Sequence, residues 1–393
     1  MKQVNFLNMI FLSVLVLIAC NSSSASKKPG DQYAMVNTME PVEETTRKSD
    51  TKIQVALLLD TSNSMDGLIE QAKSRLWNIV NTLTTLKFEG KSPQIEISLY
   101  EYGNNGIKND NWIRQVIPFT TDLDMISGKL FALTTNGGSE YCGAVIEHAL
   151  MKLDWGREFS DMKLIYIAGN EPFNQGDISY KTVIPKALSN NVFVNTIHCG
   201  NTKDGINGFW KDAAMLGKGK YFNIDHDAKV RFIETPYDDR ISECNVKLNN
   251  TYIGYGNIGR SRKEFQAEQD ANAESISSSN KTERIISKSR GIYKNESWDL
   301  VDMVKQNNEV LASVDKEKLP VELKNKSKAE LEAVVNEMIK ERETIQKEIN
   351  ELAMKRQQYI DDELKNEKDS DDLGNAITES ILAFAQQKGY EVE

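Results

Sequence analysis

Apolar positions along this chain follow two different periods. Val55-Ala56-Leu57-Leu58-Leu59 run unbroken into Asp60, a pattern that suits a central parallel strand covered on both faces. Beyond it, Leu68, Ile69, Ala72, Leu76, Ile79, Val80 and Leu83 recur at helical spacing. They predict a helix from about Gly67 to Leu86 with one face on the sheet. Further strands are expected at Ile95–Tyr102, Trp112–Pro118, Lys163–Ala168, Val192–His198 and Tyr221–Ile224. Helices are expected near Leu123–Leu133, Ala144–Leu153, Tyr180–Ser189 and Asn207–Leu216. Strands alternating with helices predict an α/β fold, a doubly wound and mostly parallel sheet flanked by helices, over residues 52–257.

The pattern changes after Asn257. Residues 258–296 are polar and read as a linker or loosely helical connection, and residues 297–393 read as an α-helical module. Within it, Leu331, Val335, Met338, Ile345, Ile349, Leu352 and Tyr359 follow steps of three and four, with Arg342 and Arg356 at seam positions. That spacing predicts one long helix over 327–365, of the kind that packs as a coiled coil. Shorter helices near Trp298–Leu311 and Asn375–Lys388 would pack on it as a hairpin or small bundle. No site chemistry stands out in this part, so scaffolding or partner binding is its plain reading.

The opposite end is apolar from Met9 to Ala19, interrupted only by Ser13. That is about half of the ~20 residues a membrane span needs, so residues 1–19 read as an export signal. The closing Leu17-Ile18-Ala19-Cys20 resembles the lipobox of bacterial lipoproteins. The resemblance implies cleavage before Cys20, lipidation of Cys20, and a membrane anchor in the bacterial envelope, the outer membrane being favoured. Residues 20–51 carry Ser, Thr, Lys, Glu and Pro without a period and read as a flexible tether, with a reach of roughly 30 Å.

Composition narrows the function. With 48 basic against 58 acidic residues the formal charge is −10, which argues against a nucleic-acid partner. Cysteines Cys142, Cys199 and Cys244 follow Cys20. Export permits disulfides, and Cys142 and Cys199 both fall at the end of the sheet that carries the Asp60 loop, so a Cys142–Cys199 bridge is expected with Cys244 free. His148 and His226 show no metal-ligand spacing, and His198 beside Cys199 points to the other face of a strand, so a thiol enzyme is disfavoured.

Ligands in such sheets sit beyond the carboxyl ends of the strands. Asp60-Thr61-Ser62-Asn63-Ser64 lies there, between an apolar strand and an amphipathic helix. A carboxylate and two alternating hydroxyls form an oxygen set suited to Mg²⁺, with Mn²⁺ or Ca²⁺ as alternatives. The pentapeptide resembles the Asp-x-Ser-x-Ser signature of the metal-ion-dependent adhesion site of von Willebrand factor A domains. The resemblance implies a third hydroxyl from a loop after paired glycines, for which Ser139 is the match, with Glu140 beside it as an additional donor. It also implies an aspartate where this chain has Gly169; Asn170 or Glu171 would then substitute. Asn170-Glu171-Pro172-Phe173 is similar to a stretch in Bacteroidetes-type lipoproteins carrying this domain. Binding without turnover is what the resemblance implies: a protein partner's carboxylate completes the metal shell, with Tyr141 and Phe173 as rim contacts and Trp210 either beside them or buried in the core. Alternatives are a structural envelope component with a degenerate site or, less favoured, a cysteine-dependent enzyme.

Overall fold

The computed structural model describes residues 51–225, 227, 230–364 and 373–392. Cys20, the tether and His226 lie outside them. The α/β part runs β1 (Lys52–Asp60), α1 (Asp66–Thr84), β2 (Leu86–Lys87), β3 (Gln94–Tyr102), β4 (Ile113–Thr120), α2 (Leu123–Phe131), α3 (Cys142–Lys152) and β5 (Met162–Gly169). It continues as α4 (Tyr180–Ser189), β6 (Val192–Cys199), α5 (Thr202–Asn207), α6 (Trp210–Leu216) and β7 (Lys218–Ile224). The remaining elements are α7 (Asp238–Asn250), α8 (Gly259–Ile276), α9 (Ser278–Ser289), α10 (Leu300–Gln306), α11 (Val321–Lys324), α12 (Lys328–Leu364), α13 (Leu373–Gln387) and β8 (Glu391–Val392).

Six strands form the main sheet in the order β4-β3-β1-β5-β6-β7, with β1 at its centre and only the edge strand β4 antiparallel. The unbroken apolar run of β1 has its reason here. Ile53, Val55, Leu57 and Leu59 enter one core with α1, while Ala56 and Leu58 enter the other, with α3, α4 and α6. Both faces of the strand are covered, so both are apolar from Val55 to Leu59, and buried Gln54 is satisfied by Glu96 and the Asp154 carbonyl.

The helical part packs on the α/β part, and residues 49–393 form one compact unit. Ile377, Ile381 and Phe384 of α13 join the same core as α1, and Ser380 donates to Asn195 of β6 at 2.9 Å. Amphipathicity gives a helix an apolar face but does not say which surface it covers. Of the two readings of residues 258–296, the helical one holds: they fold as α8 and α9. These helices look like a linker because their buried contacts are charged: Arg284 and Lys288 are fully buried against Asp270, and Arg284 also meets Asp124.

Nor do the seam arginines of α12 face a second helix in a coiled coil. Arg342 is buried against Asp299 and Asp302 with its guanidinium 4.0 Å from the Tyr252 ring centroid, and Arg356 pairs with Asp238 and Glu283. The long helix thus lies along α7, α9 and α10 of its own chain.

Candidate metal centre

β1 ends between β3 and β5 with the Asp60 carboxylate fully buried. The chain then turns under its own control. Ser62 donates its backbone N–H to Asp60 Oδ1 at 2.7 Å, and Met65 N–H donates to the Ser62 carbonyl at 3.0 Å to begin the turn into α1. The Ser62 and Ser64 hydroxyls lie 3.3 Å apart, so alternate residues do point the same way. Asp60 Oδ2 is buried and has no hydrogen-bond partner.

The loop after α2 reaches this point by backbone pinning. Asn136 N–H donates to the Thr61 carbonyl at 2.9 Å, and Asn105 N–H to the Gly137 carbonyl at 2.8 Å. Two glycines allow the close approach. A Cβ at Gly138 would lie 2.1 Å from the Gly103 carbonyl, and one at Gly103, where φ is +78°, would lie 2.8 Å from both Asp60 Oδ1 and Glu140 Cγ. Gly103 was not singled out in the sequence, although it follows a strand and opens an Asn-Asn-Gly turn signal.

Glu140, not Ser139, is the residue this loop delivers. Its side chain is buried against Asp60, and Oε2 accepts the Glu171 N–H at 3.3 Å. Ser139 is half-buried and, among the described residues, makes no hydrogen bond to Asp60, Ser62 or Ser64. Asn170 enters through its amide nitrogen, which donates to Ser64 Oγ at 3.1 Å. The Glu171 side chain is exposed and accepts from Gln175, so Glu171 contributes its backbone rather than its charge.

Position 169 has no space for the expected aspartate. A Cβ there would lie 2.6 Å from the Tyr102 hydroxyl and 3.1 Å from Asp60 Oδ2. The second carboxylate therefore comes from Glu140, which keeps two acidic groups in the pocket. Burial pushes the Asp60 carboxyl well up, and neighbouring Glu140 adds to the effect; burial also raises Glu140. Among the described residues no group of three or more His, Cys, Asp or Glu side chains forms a metal cage. The donor set is instead two carboxylates with the serine hydroxyls, and the orphan Asp60 oxygen fits a divalent cation.

A consequence follows for the metal-free protein. Between the ordinary carboxylate range and the raised folded range, the unfolded chain is ionised while the folded carboxyls keep protons. Stability then falls as pH rises through that window. Glu140→Gln removes one acidic group and is expected to raise the metal-free midpoint at pH 7 by about 2 °C, on the order of 1 kcal/mol, while removing any stabilisation by Mg²⁺. Thermal scans with and without Mg²⁺ check this. A variant that is less stable than wild type but still stabilised by metal would remove Glu140 from the site.

The cysteine expectation is corrected. Cys142, Cys199 and Cys244 are free and buried. Cys142 belongs to the core with α3 and α4, Cys199 to the core with α1, so the sheet separates them. Lying at the same end of a sheet does not put two residues on the same face. Burial pushes both thiols well up, leaving them protonated and poor nucleophiles. His198 faces away from Cys199: its ring packs on Trp210, and its nitrogens meet Asn223 and the Asn170 carbonyl. In the chain from Asn21 onward, a thiol reagent is expected to label none of the three in the native state and all three in guanidinium, with reductant leaving the midpoint unchanged.

Phe173 is not a rim residue either. It is fully buried between Tyr180 and Trp210, and Trp210 is buried with its indole N–H donating to the Glu171 carbonyl. Apolar character alone did not separate rim from core. Tyr141 is half-buried at the start of α3 and packs on Trp112 at 5.5 Å, a neighbour the sequence reading missed. Asn111 and Trp112 both have positive φ, a strained backbone in the loop before β4.

A central, mostly parallel sheet with an acidic, hydroxyl-bearing loop at the end of its first strand is the architecture found in von Willebrand factor A domains. Residues 54–213 match the von Willebrand factor type A domain family. Domains of this family generally mediate metal-dependent protein interaction. Similar solved structures include BatB from Bacteroides thetaiotaomicron, 16% identical over 44% of this chain and 90% of that one, with a TM-score of 0.35. An aerotolerance-related membrane protein from Bacteroides fragilis is 14% identical over 44% and 93%, with a TM-score of 0.32. Proximal thread matrix protein 1 from the mussel byssus, described with a zinc-occupied MIDAS motif, is 13% identical over 44% and 42%, with a TM-score of 0.34. A comparison with curated proteins finds no match.

Proposed function

We propose that this chain is a lipid-anchored, metal-dependent protein-binding module of the bacterial envelope. The carrying observation is the buried Asp60 carboxylate, set against the second buried carboxylate of Glu140 with its Oδ2 satisfied by no hydrogen bond of ordinary geometry. An unpaired buried carboxylate is costly, and a cation removes the cost. Asp60, Ser62, Ser64 and Glu140 would hold Mg²⁺, or Mn²⁺ or Ca²⁺, with Asn170 steadying Ser64 and the Glu171 N–H steadying Glu140. The cation supplies a Lewis-acidic position that a carboxylate on a protein partner completes. The lipobox-like Leu17-Ile18-Ala19-Cys20 supports the anchor at Cys20.

Calorimetric titration of Mg²⁺, Mn²⁺ and Ca²⁺ into the chain from Asn21 onward tests the site. Saturable binding at one site is the expected result. Absence of binding for all three cations would favour a structural envelope component with an empty site, a reading that the missing aspartate at Gly169 supports.

A further inference from the structure

We propose that the pole of the fold opposite the metal loops is a membrane-docking surface centred on Phe159. Phe159 is 86% exposed, and Val392 is 61% exposed. Tyr390 connects them: it neighbours the two-residue strand bearing Val392, its hydroxyl donates to the Ser160 carbonyl at 2.9 Å, and its ring meets Phe88 at 5.1 Å. Lys388 lies over the Phe159 ring, with Nζ 4.7 Å from the centroid and 3.0 Å from the Phe159 carbonyl. An aromatic ring beneath a lysine stem and ammonium has the amphipathic form that suits a membrane interface.

The chain enters the fold beside this surface, which points to a bilayer as its occupant. Thr51 donates to Ser160 Oγ at 3.3 Å, and Lys52 N–H donates to Asp161 at 2.9 Å. The segment that leads back to Cys20 therefore leaves the fold one residue from Phe159. Acylation of Cys20 would tie this pole to a bilayer through the intervening chain, converting docking into an intramolecular step. At that effective concentration a single phenylalanine suffices, since its burial strengthens a contact roughly 10- to 100-fold. The charges of Arg157 and Lys388 are offset by those of Glu158 and Asp161 beside Phe159, so the ring and not charge attraction carries the contact, and docking is insensitive to salt.

The orientation has a use. Asp60 lies at the other end of the nine-residue strand β1, whose residues rise ~3.3 Å each, from Lys52. Docking at Phe159 turns the metal loops away from the bilayer, toward a partner.

The biological part of the inference rests on lipidation of Cys20, but its test does not. The chain from Asn21 onward, with an N-terminal histidine tag, is tethered to phosphatidylcholine vesicles containing nickel-chelating lipid. Tryptophan is placed at Phe159→Trp or, at the metal pole, at Ile206→Trp, where the native side chain is 46% exposed. Brominated phosphatidylcholine is expected to quench the added Phe159→Trp emission at low and at 0.5 M salt, leaving the added Ile206→Trp emission unchanged. Quenching of neither, or of both equally, overturns the proposal. So does a concentration-dependent change at Phe159→Trp without vesicles, which would assign the surface to a second copy of the chain. Whether Cys20 is acylated is read separately, by fatty-acid labelling of the full chain against Cys20→Ala.

Discussion

Asp60→Asn is expected to abolish saturable Mg²⁺ binding, a loss of at least ~100-fold, while leaving the metal-free fold as stable as wild type or more so. Both halves come from the two oxygens of one carboxylate. Oδ1 accepts the Ser62 N–H at 2.7 Å and shapes the loop, whereas Oδ2 is buried without a partner. Asparagine keeps an oxygen for Ser62 and cancels a charge that burial and Glu140 both disfavour. Asp60→Ala would also lose the cation, but it leaves the Ser62 N–H without its acceptor, at a cost of about 1–3 kcal/mol. The pair of variants separates charge from loop geometry. Calorimetry reads the binding, and thermal scans in chelator read the fold. Retained Mg²⁺ binding in Asp60→Asn would sink the proposed site, since two serines and one carboxylate would then suffice without the residue at its centre.

Much of this site was legible because its first half is local. An apolar run, an aspartate and two alternating hydroxyls occupy consecutive positions, and the helix that follows is periodic, so strand end, loop and donors can be read together. The second half is assembled across the sheet and is not written at any one place. Glu140 rather than Ser139 faces Asp60 because Gly103 and Gly138 let two loops touch and Asn136 pins one of them to Thr61. Gly169 reads as a missing ligand, whereas the structure shows a position closed to side chains by Tyr102 and Asp60. The cysteines and Phe173 misled for a related reason. Which end of a sheet a residue occupies follows from strand direction, but which core it enters depends on partners distant in sequence. The polar helices α8 and α9 are the extreme case, since a buried charge cannot be told from an exposed one until its counter-ion is known.

That charged core sets the largest expected effect on stability. Asp270 accepts from Arg284 at 2.6 Å and from Lys288 at 2.8 Å, with Asn245 and Asn249 completing its contacts, and Arg284 continues to Asp124 and covers the Trp77 ring. Burial pushes the Asp270 carboxyl up, but the Lys288 and Arg284 charges more than reverse this and hold it well below its ordinary range. Burial pushes Lys288 the other way, down to about 8, against the pull of Asp270. The cluster is therefore asymmetric: Asp270 is the one anion that Arg284 and Lys288 share, whereas Lys288 is one of two cations on Asp270. Asp270→Ala is expected to cost about 3–5 kcal/mol by leaving Lys288 buried without its ion-pair partner and Arg284 with Asp124 alone, a fall of roughly 6–10 °C in midpoint. Lys288→Met should cost far less, because Arg284 and both asparagines still satisfy the carboxylate and a difficult ammonium is gone. The acid limb follows by sign. With its folded value depressed, Asp270 contributes stability in full above the unfolded carboxylate range, and that contribution is lost as pH falls through the folded value. Wild type should therefore lose stability toward low pH more steeply than Asp270→Ala. Denaturant unfolding of both variants between pH 3 and 8 checks the ranking, and equal costs for Asp270→Ala and Lys288→Met would mean that the two residues act only as a pair.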